Sequence, residues 1–170
     1  MSRAGIIVHV SGVGAETCLQ LATLLAQTLS RQGYPALVIS EDAARQALLG
    51  ADEAWLARAI SWAAQLTCAA GSVVLVVVSS AMAARLVGLP DYTPGLELAV
   101  EGPFTSRAAQ RLALSADPAQ WAPEIARVAL LLEEQLPCNA QAGGEPKADN
   151  VYTPEEEAYL QEHLRSLGYL

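Results

Sequence analysis

Apolar and polar positions along the chain fall into two alternating rhythms. Residues 5–10 (GIIVHV) form a short β-branched run that leaves no polar face, the mark of a strand buried in a parallel sheet, and it runs into a turn, SGVG. From Glu16 to Gln32 the leucines at 19, 21, 24, 25 and 29 follow a helical period that stops at Gly33. Pro35–Ser40 (PALVIS) predicts a second strand, so residues 5–40 make a βαβ unit with a right-handed parallel crossover. Further on, the pattern predicts a short helix at Ala43–Leu49 and a longer one at Glu53–Ala70. Ser72–Ser79 (SVVLVVVS) is the most apolar strand, Leu96–Val100 (LELAV) a shorter one and Arg111–Ser115 (RLALS) the last, before a helix at Gln120–Leu136. Strands alternating with helices predict an α/β fold of three layers, a parallel sheet with helices on both faces. Residues 6–10 and 73–78 are expected as its central strands.

From Pro137 to Asn150 (PCNAQAGGEPKADN) the composition turns to Gly, Pro, Asn and Ala, which predicts a linker between a domain at residues 1–136 and a tail at 151–170. In the tail, Thr153 as N-cap, Pro154 at the first helical position and Glu156 form a capping box, and Arg165 and Gly168 close the far end. Tyr159, Leu160, His163, Leu164 and Leu167 share one stripe, so this helix is expected to dock on its own domain or on another chain. The acids Glu155–Glu157 match the helix dipole.

Composition narrows the function. A net charge of −8 excludes a nucleic-acid or anionic-membrane surface, and the chain has a single lysine, Lys147, in the linker. Much of the 52% apolar fraction is alanine, and no apolar run reaches the roughly 18 to 20 residues of a membrane span. MSRAGIIVHV lacks the charged, apolar and small-residue regions of a signal peptide, so a cytoplasmic location is expected. Cys18, Cys68 and Cys138 form no metal-type cluster, and no metal or cofactor is expected.

A strand, a glycine turn and a helix at residues 6–25 stand where a phosphate-binding loop of pattern GxxxxGK[ST] would lie, with backbone amides cradling phosphate, a lysine neutralising it and a hydroxyl holding magnesium. Here the stretch is HVSGVGAET: Gly12 and Gly14 keep the spacing, but Ala15 replaces the lysine and Glu16 the hydroxyl. Ser11, Gly12, Val13, Gly14, Ala15, Glu16 and Thr17 thus form a vestigial phosphate loop, or a tight turn that needs no ligand. Glu16 suits the helix dipole by ~0.3 to 1 kcal/mol yet repels a triphosphate.

Read through His9–Thr17, SEDAAR (40–45), CAAGSVVLVVVSS (68–80) and LELAVEGPF (96–104), the chain resembles the adenylylsulfate kinase family, whose pattern is GLSGSGKST, DGDNxR, an apolar strand ending in serine and a VDTP-like strand end. The resemblance covers about residues 5–136 and implies a P-loop fold. It implies that Asp42 and Arg45, matching the last acid and the arginine of DGDNxR, approach a sulfonucleotide, with Arg58, Ser80 and Arg85 as further candidate ligand-binding residues and Pro103 matching the proline after the fourth strand. Ser40 and Ala43 depart from that pattern, and the family's basic lid over ATP has no counterpart.

Plainer roles remain open for the same residues. Asp42 could be a capping acid, Arg45 and Arg85 solvent cations, and His9 a strand-end histidine without a second metal ligand. Trp55, Trp62 and Trp121 are expected to pack in the core. The tail YTPEEEAYLQEHLRSLGYL resembles the C-terminal segment of bacterial sulfatases and related phosphodiesterases, though their catalytic motifs are absent.

The expected function is that of a catalytically inactive adenylylsulfate-kinase-like protein, with no catalytic residues, acting by binding as a regulatory or dimer partner. Its partners would be a second copy or another protein engaged through the C-terminal helix. The alternatives are a kinase in which Arg45, Arg58 or Arg85 supplies the missing charge, and a small-anion or sulfonucleotide binder without turnover.

Overall fold

The structure, a computed structural model, describes residues 5–136. The linker and tail expected at 137–150 and 151–170, with Arg3, Cys138 and Lys147, lie outside the described residues. The elements run β1 (Ile6–Gly12), α1 (Ala15–Arg31), β2 (Ala36–Ser40), α2 (Glu41–Ala47), α3 (Glu53–Ala69) and β3 (Val73–Val77). They continue with α4 (Ser80–Val87), β4 (Leu96–Val100), β5 (Gln110–Leu114) and α5 (Trp121–Gln135).

All five strands form one parallel sheet in the order β2-β3-β1-β4-β5, so β1 and β3, expected at the centre, lie side by side in its interior. Strand alternation sends Ile6, Val8 and Val10 to a core shared with α1 and α5, and Ile7 to one shared with α3 and α4. Each face is thereby covered by helices, which explains why Val73–Val77 is apolar at every position. No helix among the described residues is long and apolar enough to cross a membrane.

Helix limits follow from local chemistry. Along α1, Cys18, Leu21, Ala22, Leu25, Ala26 and Leu29 recur at three- and four-residue steps and are all buried. Gly33, at φ 88°, lets the chain turn so that the amides of Gly33 and Tyr34 close on the carbonyls of Ser30 and Leu29. Ser40, Asp52 and Ser79 cap α2, α3 and α4 by accepting from Ala43, Trp55 and Met82. The cap of α2 is therefore Ser40, not Asp42, whose side chain is exposed in the first turn.

Two tryptophans depart from expectation. Trp121 is buried and donates its indole N–H to the Ser115 carbonyl, but Trp55 and Trp62 are 49% and 57% exposed. The reason is the buried stripe of α3, Leu56, Ala57, Ile60, Ser61 and Ala64, which meets the sheet mostly through small side chains and turns the tryptophans outward. Helix α4 was not distinguished in the sequence because its eight residues are too few for a clear period.

Candidate functional site

In an open parallel sheet, ligands bind where neighbouring strands send their connections to opposite faces. That place here is the crevice between the carboxyl ends of β1, which feeds α1 on one face, and β3, which feeds α4 on the other. Ala15, Leu19, Ser40, Glu41, Asp42, Val77, Val78 and Ser79 line a hollow of about 90 Å³ in this crevice. Small-molecule sites usually measure ~300 to 1,000 Å³, so this hollow is smaller than a typical one.

The glycine loop is built into the sheet. Strand β1 outruns its pairing with β3 and stays beside β4 as far as the Gly12–Val100 pair. The Val13 amide then donates to the Val100 carbonyl at 3.0 Å, so one donor of the expected phosphate cradle is spent. Gly12 is required by this contact, because a Cβ there would stand 2.1 Å from the Val100 oxygen. Gly14 turns the chain at φ 85° into α1, whose first two residues are Ala15 and Glu16, both exposed. Ser11 is buried and Thr17 half-buried. No side chain caps this helix start, and Glu16 is the acid of its first turn.

Arg45, expected to meet an anion, is occupied by carboxylates. Its Nε and Nη2 donate to Glu41 Oε1 at 3.0 and 2.6 Å, and its Nη2 also to Glu53 Oε2 at 2.8 Å. The hydrogen bonds to Glu53 and Glu41 hold the guanidinium charged well above its ordinary range. Burial pushes the Glu41 carboxyl up, but the amide of Ser79, donating to Oε2 at 2.8 Å, and Arg45 outweigh it and hold it below the usual carboxylate range. Glu41 thus ties the ends of β2 and β3 together. Asp42 and Ser80 lie exposed at this same edge, and Arg85, exposed on α4, acts as a nearby cation on Glu53. Arg58 stands elsewhere, on the outer side of α3 beside Trp62, Pro90 and Asp91.

A second polar group lies inside the sheet's carboxyl end. Glu97, the second residue of β4, is fully buried, yet Thr105 and Ser106 both donate backbone amides to it, and the Ser106 hydroxyl donates at 2.8 Å. Burial pushes this carboxyl up, and those donors outweigh it and keep it below the usual range. The Thr105 hydroxyl has one proton, which goes to Glu97 Oε1 at 3.0 Å, so its oxygen accepts from His9 Nε2 at 3.1 Å. His9 Nδ1 then accepts from the Tyr92 hydroxyl at 2.9 Å. Burial lowers the His9 pKa to about 4 against the opposing pull of Glu97, so the imidazole is neutral at pH 7. Burial also pushes the Tyr92 phenol far above its ordinary value, keeping it a donor.

This chain, Tyr92 to His9 to Thr105 to Glu97, sews residues 105 and 106 onto the sheet beside the glycine loop, where Ser11 Oγ also lies 3.2 Å from Thr105 Oγ1. The sequence marked His9 and Ser11 but missed Glu97, Thr105, Ser106 and Tyr92. One signal was there to read: a glutamate within LELAV, where every neighbour is apolar, must find donors from another segment. Among the described residues no three His, Cys, Asp or Glu side chains are grouped to hold a metal.

No family model matches the chain, and no curated protein is similar to it in sequence at a significant level. Its similarity is structural. APE1195 has 17% identity and a TM-score of 0.60, over 77% of this chain and 96% of that one. A cysteine-to-alanine variant of the Mycobacterium tuberculosis APS kinase CysC has 24% identity and a TM-score of 0.57, over 76% and 99%. The same kinase in complex with AMPPNP and APS has 19% identity and a TM-score of 0.55, over 76% and 98%. With one parallel sheet covered by helices on both faces, the chain has the α/β P-loop fold seen in APS kinase.

Proposed function

We propose that this protein does not transfer phosphate and acts by binding, as a regulatory or dimer partner built on an APS-kinase-like fold. The observation that carries this reading is the head of α1, where Ala15 and Glu16 occupy the positions that would supply a lysine and a magnesium-binding hydroxyl. Phosphoryl transfer depends on positioning and on cations that neutralise the developing charge, each such group supplying factors of roughly 10² to 10³. In this crevice the neighbouring groups are acidic or already paired: Glu16 in the helix turn, Glu41 and Glu53 around Arg45. The segment after β4, held by Glu97 and without a lysine, brings in no free cation beyond Arg107 and Arg111, and Arg111 stands 3.9 Å from Glu97 and over the Phe104 ring.

A protein partner engaged through residues 151–170, with their single apolar stripe, belongs to the same reading. Calorimetry with magnesium and AMPPNP, then with adenylylsulfate, together with a coupled phosphorylation assay, tests it. No heat of nucleotide binding and no turnover are expected. Turnover above background would return the protein to the kinases, and binding of adenylylsulfate alone would make it a sulfonucleotide binder.

A further inference from the structure

The connection from α4 to β4 enters the sheet at the amino end of β4, away from the glycine loop at the carboxyl end of β1. There Arg58, Ser61 and Trp62 of α3 and Leu89, Pro90 and Asp91 of that connection line a hollow of about 270 Å³. Gln65 braces its two walls. The two protons of its Nε2 go to Ser61 Oγ and to the Asp91 carbonyl oxygen, each at 2.9 Å, so the hollow is held open in a fixed shape.

The polar groups of this hollow are not spent on one another. Arg58 and Asp91 stand on different walls, yet neither forms an ion pair with the other or with any other described residue. Ser61 is 2% exposed, and while its oxygen accepts from Gln65, its own proton has no acceptor among the described residues. Trp62, 57% exposed, supplies apolar surface together with Leu89 and Pro90. A buried donor with an unspent proton, beside a cation and an anion kept apart, calls for a ligand that carries both charges.

We infer that this hollow binds a free α-amino acid with an apolar side chain. Arg58 and Ser61 lie one turn apart on α3, so the guanidinium fork and the hydroxyl serve one carboxylate. Asp91, from the other wall, accepts from the ammonium group, and the apolar side chain lies on the Trp62 indole and Pro90. Charge selects this class of ligand. Asp91 repels a simple anion such as sulfate or phosphate, Arg58 repels a simple amine, and a zwitterion satisfies both. At about 270 Å³ the hollow falls just under the ~300 Å³ at which drug-sized sites begin, which suits a ligand of amino-acid size. The site is independent of the phosphate loop and stands whether or not the protein binds nucleotide.

Calorimetry on the full chain with L-leucine and L-phenylalanine tests the site, and a dissociation constant between ~10 μM and ~1 mM is expected for ligands this small. L-leucinamide lacks the carboxylate and N-acetyl-L-leucine lacks the ammonium, and each should bind about ten-fold or more weakly than L-leucine. Arg58→Gln should abolish the preference for L-leucine over its amide, and Asp91→Asn the preference for L-leucine over the acetylated form. Both side chains are exposed and unpaired, so the variants should fold normally, which circular dichroism checks. Trp62→Ala gives a further variant that should weaken L-leucine while keeping the order of the ligands. No heat with either amino acid up to ~10 mM, equal affinity for L-leucine and its two blocked forms, or an order of ligands that Arg58→Gln and Asp91→Asn both leave unchanged overturns the proposal.

Discussion

His9 Nδ1 and the Tyr92 hydroxyl meet at 2.9 Å across 83 residues of sequence, with the two rings 5.9 Å apart and edge to face. The contact joins the central strand to the segment before β4 and fixes the histidine as the neutral tautomer that donates to Thr105.

Its first consequence is a pH dependence. Burial lowers the His9 pKa from 6.5 to about 4 in the folded chain, so the unfolded chain binds the proton first as pH falls. Stability is then complete above about pH 6.5 and declines towards pH 4, with roughly 2 kcal/mol lost by pH 5. Glu41, Glu53 and Glu97 are held below the usual carboxylate range and lose their contribution only in a more acidic window. Urea midpoints measured from pH 7.5 to 5 should show the slope, and His9→Phe should remove it even if the variant is less stable throughout. A slope that survives in the variant belongs to another group.

Glu97→Gln is expected to cost about 2 to 4 kcal/mol, because the new amide N–H₂ faces donors from Thr105 and Ser106 with no water to replace the lost acceptor. Amide hydrogen exchange should locate the loss, with protection falling at Thr105 and Ser106 before it falls in β1. Equal loss everywhere would mean that Glu97 supports the whole sheet rather than this segment.

The two carboxyl-edge residues Glu41 and Arg45 should differ in effect. Arg45→Ala leaves Glu41 with its Ser79 donor and should barely move the melting temperature, as exposed ion pairs contribute little. Glu41→Ala orphans the Ser79 amide and should cost about 1 to 3 kcal/mol. Thermal melts of both variants in one buffer decide it, and equal effects would contradict the division of roles.

Restoring the missing chemistry gives a gain-of-function test. Ala15→Lys with Glu16→Ser places a cation and a hydroxyl at the head of α1 and removes the repelling acid. Affinity for magnesium–AMPPNP should rise by roughly ten-fold or more, the equivalent of one charge-assisted hydrogen bond. Calorimetry on the double variant that still finds no binding would place the obstacle elsewhere, in the Val13 amide spent on Val100 or in the 90 Å³ crevice.

Much of the architecture was decided locally and could be read from the chain. The runs of residues 6–10 and 73–78 are apolar at nearly every position because both faces of a central strand are covered, and the leucine spacing and Gly33 mark where α1 lies and stops. That Ala15 and Glu16 offer no cation and no hydroxyl at the head of α1 was equally legible, since it holds in any conformation. The tertiary structure decided which side chains meet. Periodicity places Trp55 and Trp62 on a helix but cannot tell which of two apolar faces the sheet will cover, and packing chose the one carrying Leu56, Ala57, Ile60, Ser61 and Ala64. Likewise nothing local joins Glu97 to Thr105 and Ser106, or Arg45 to Glu53. Those partners are brought together by the loop after β4 and by the turn between α2 and α3, and the buried Glu97 carboxylate keeps its charge only because that loop supplies the donors.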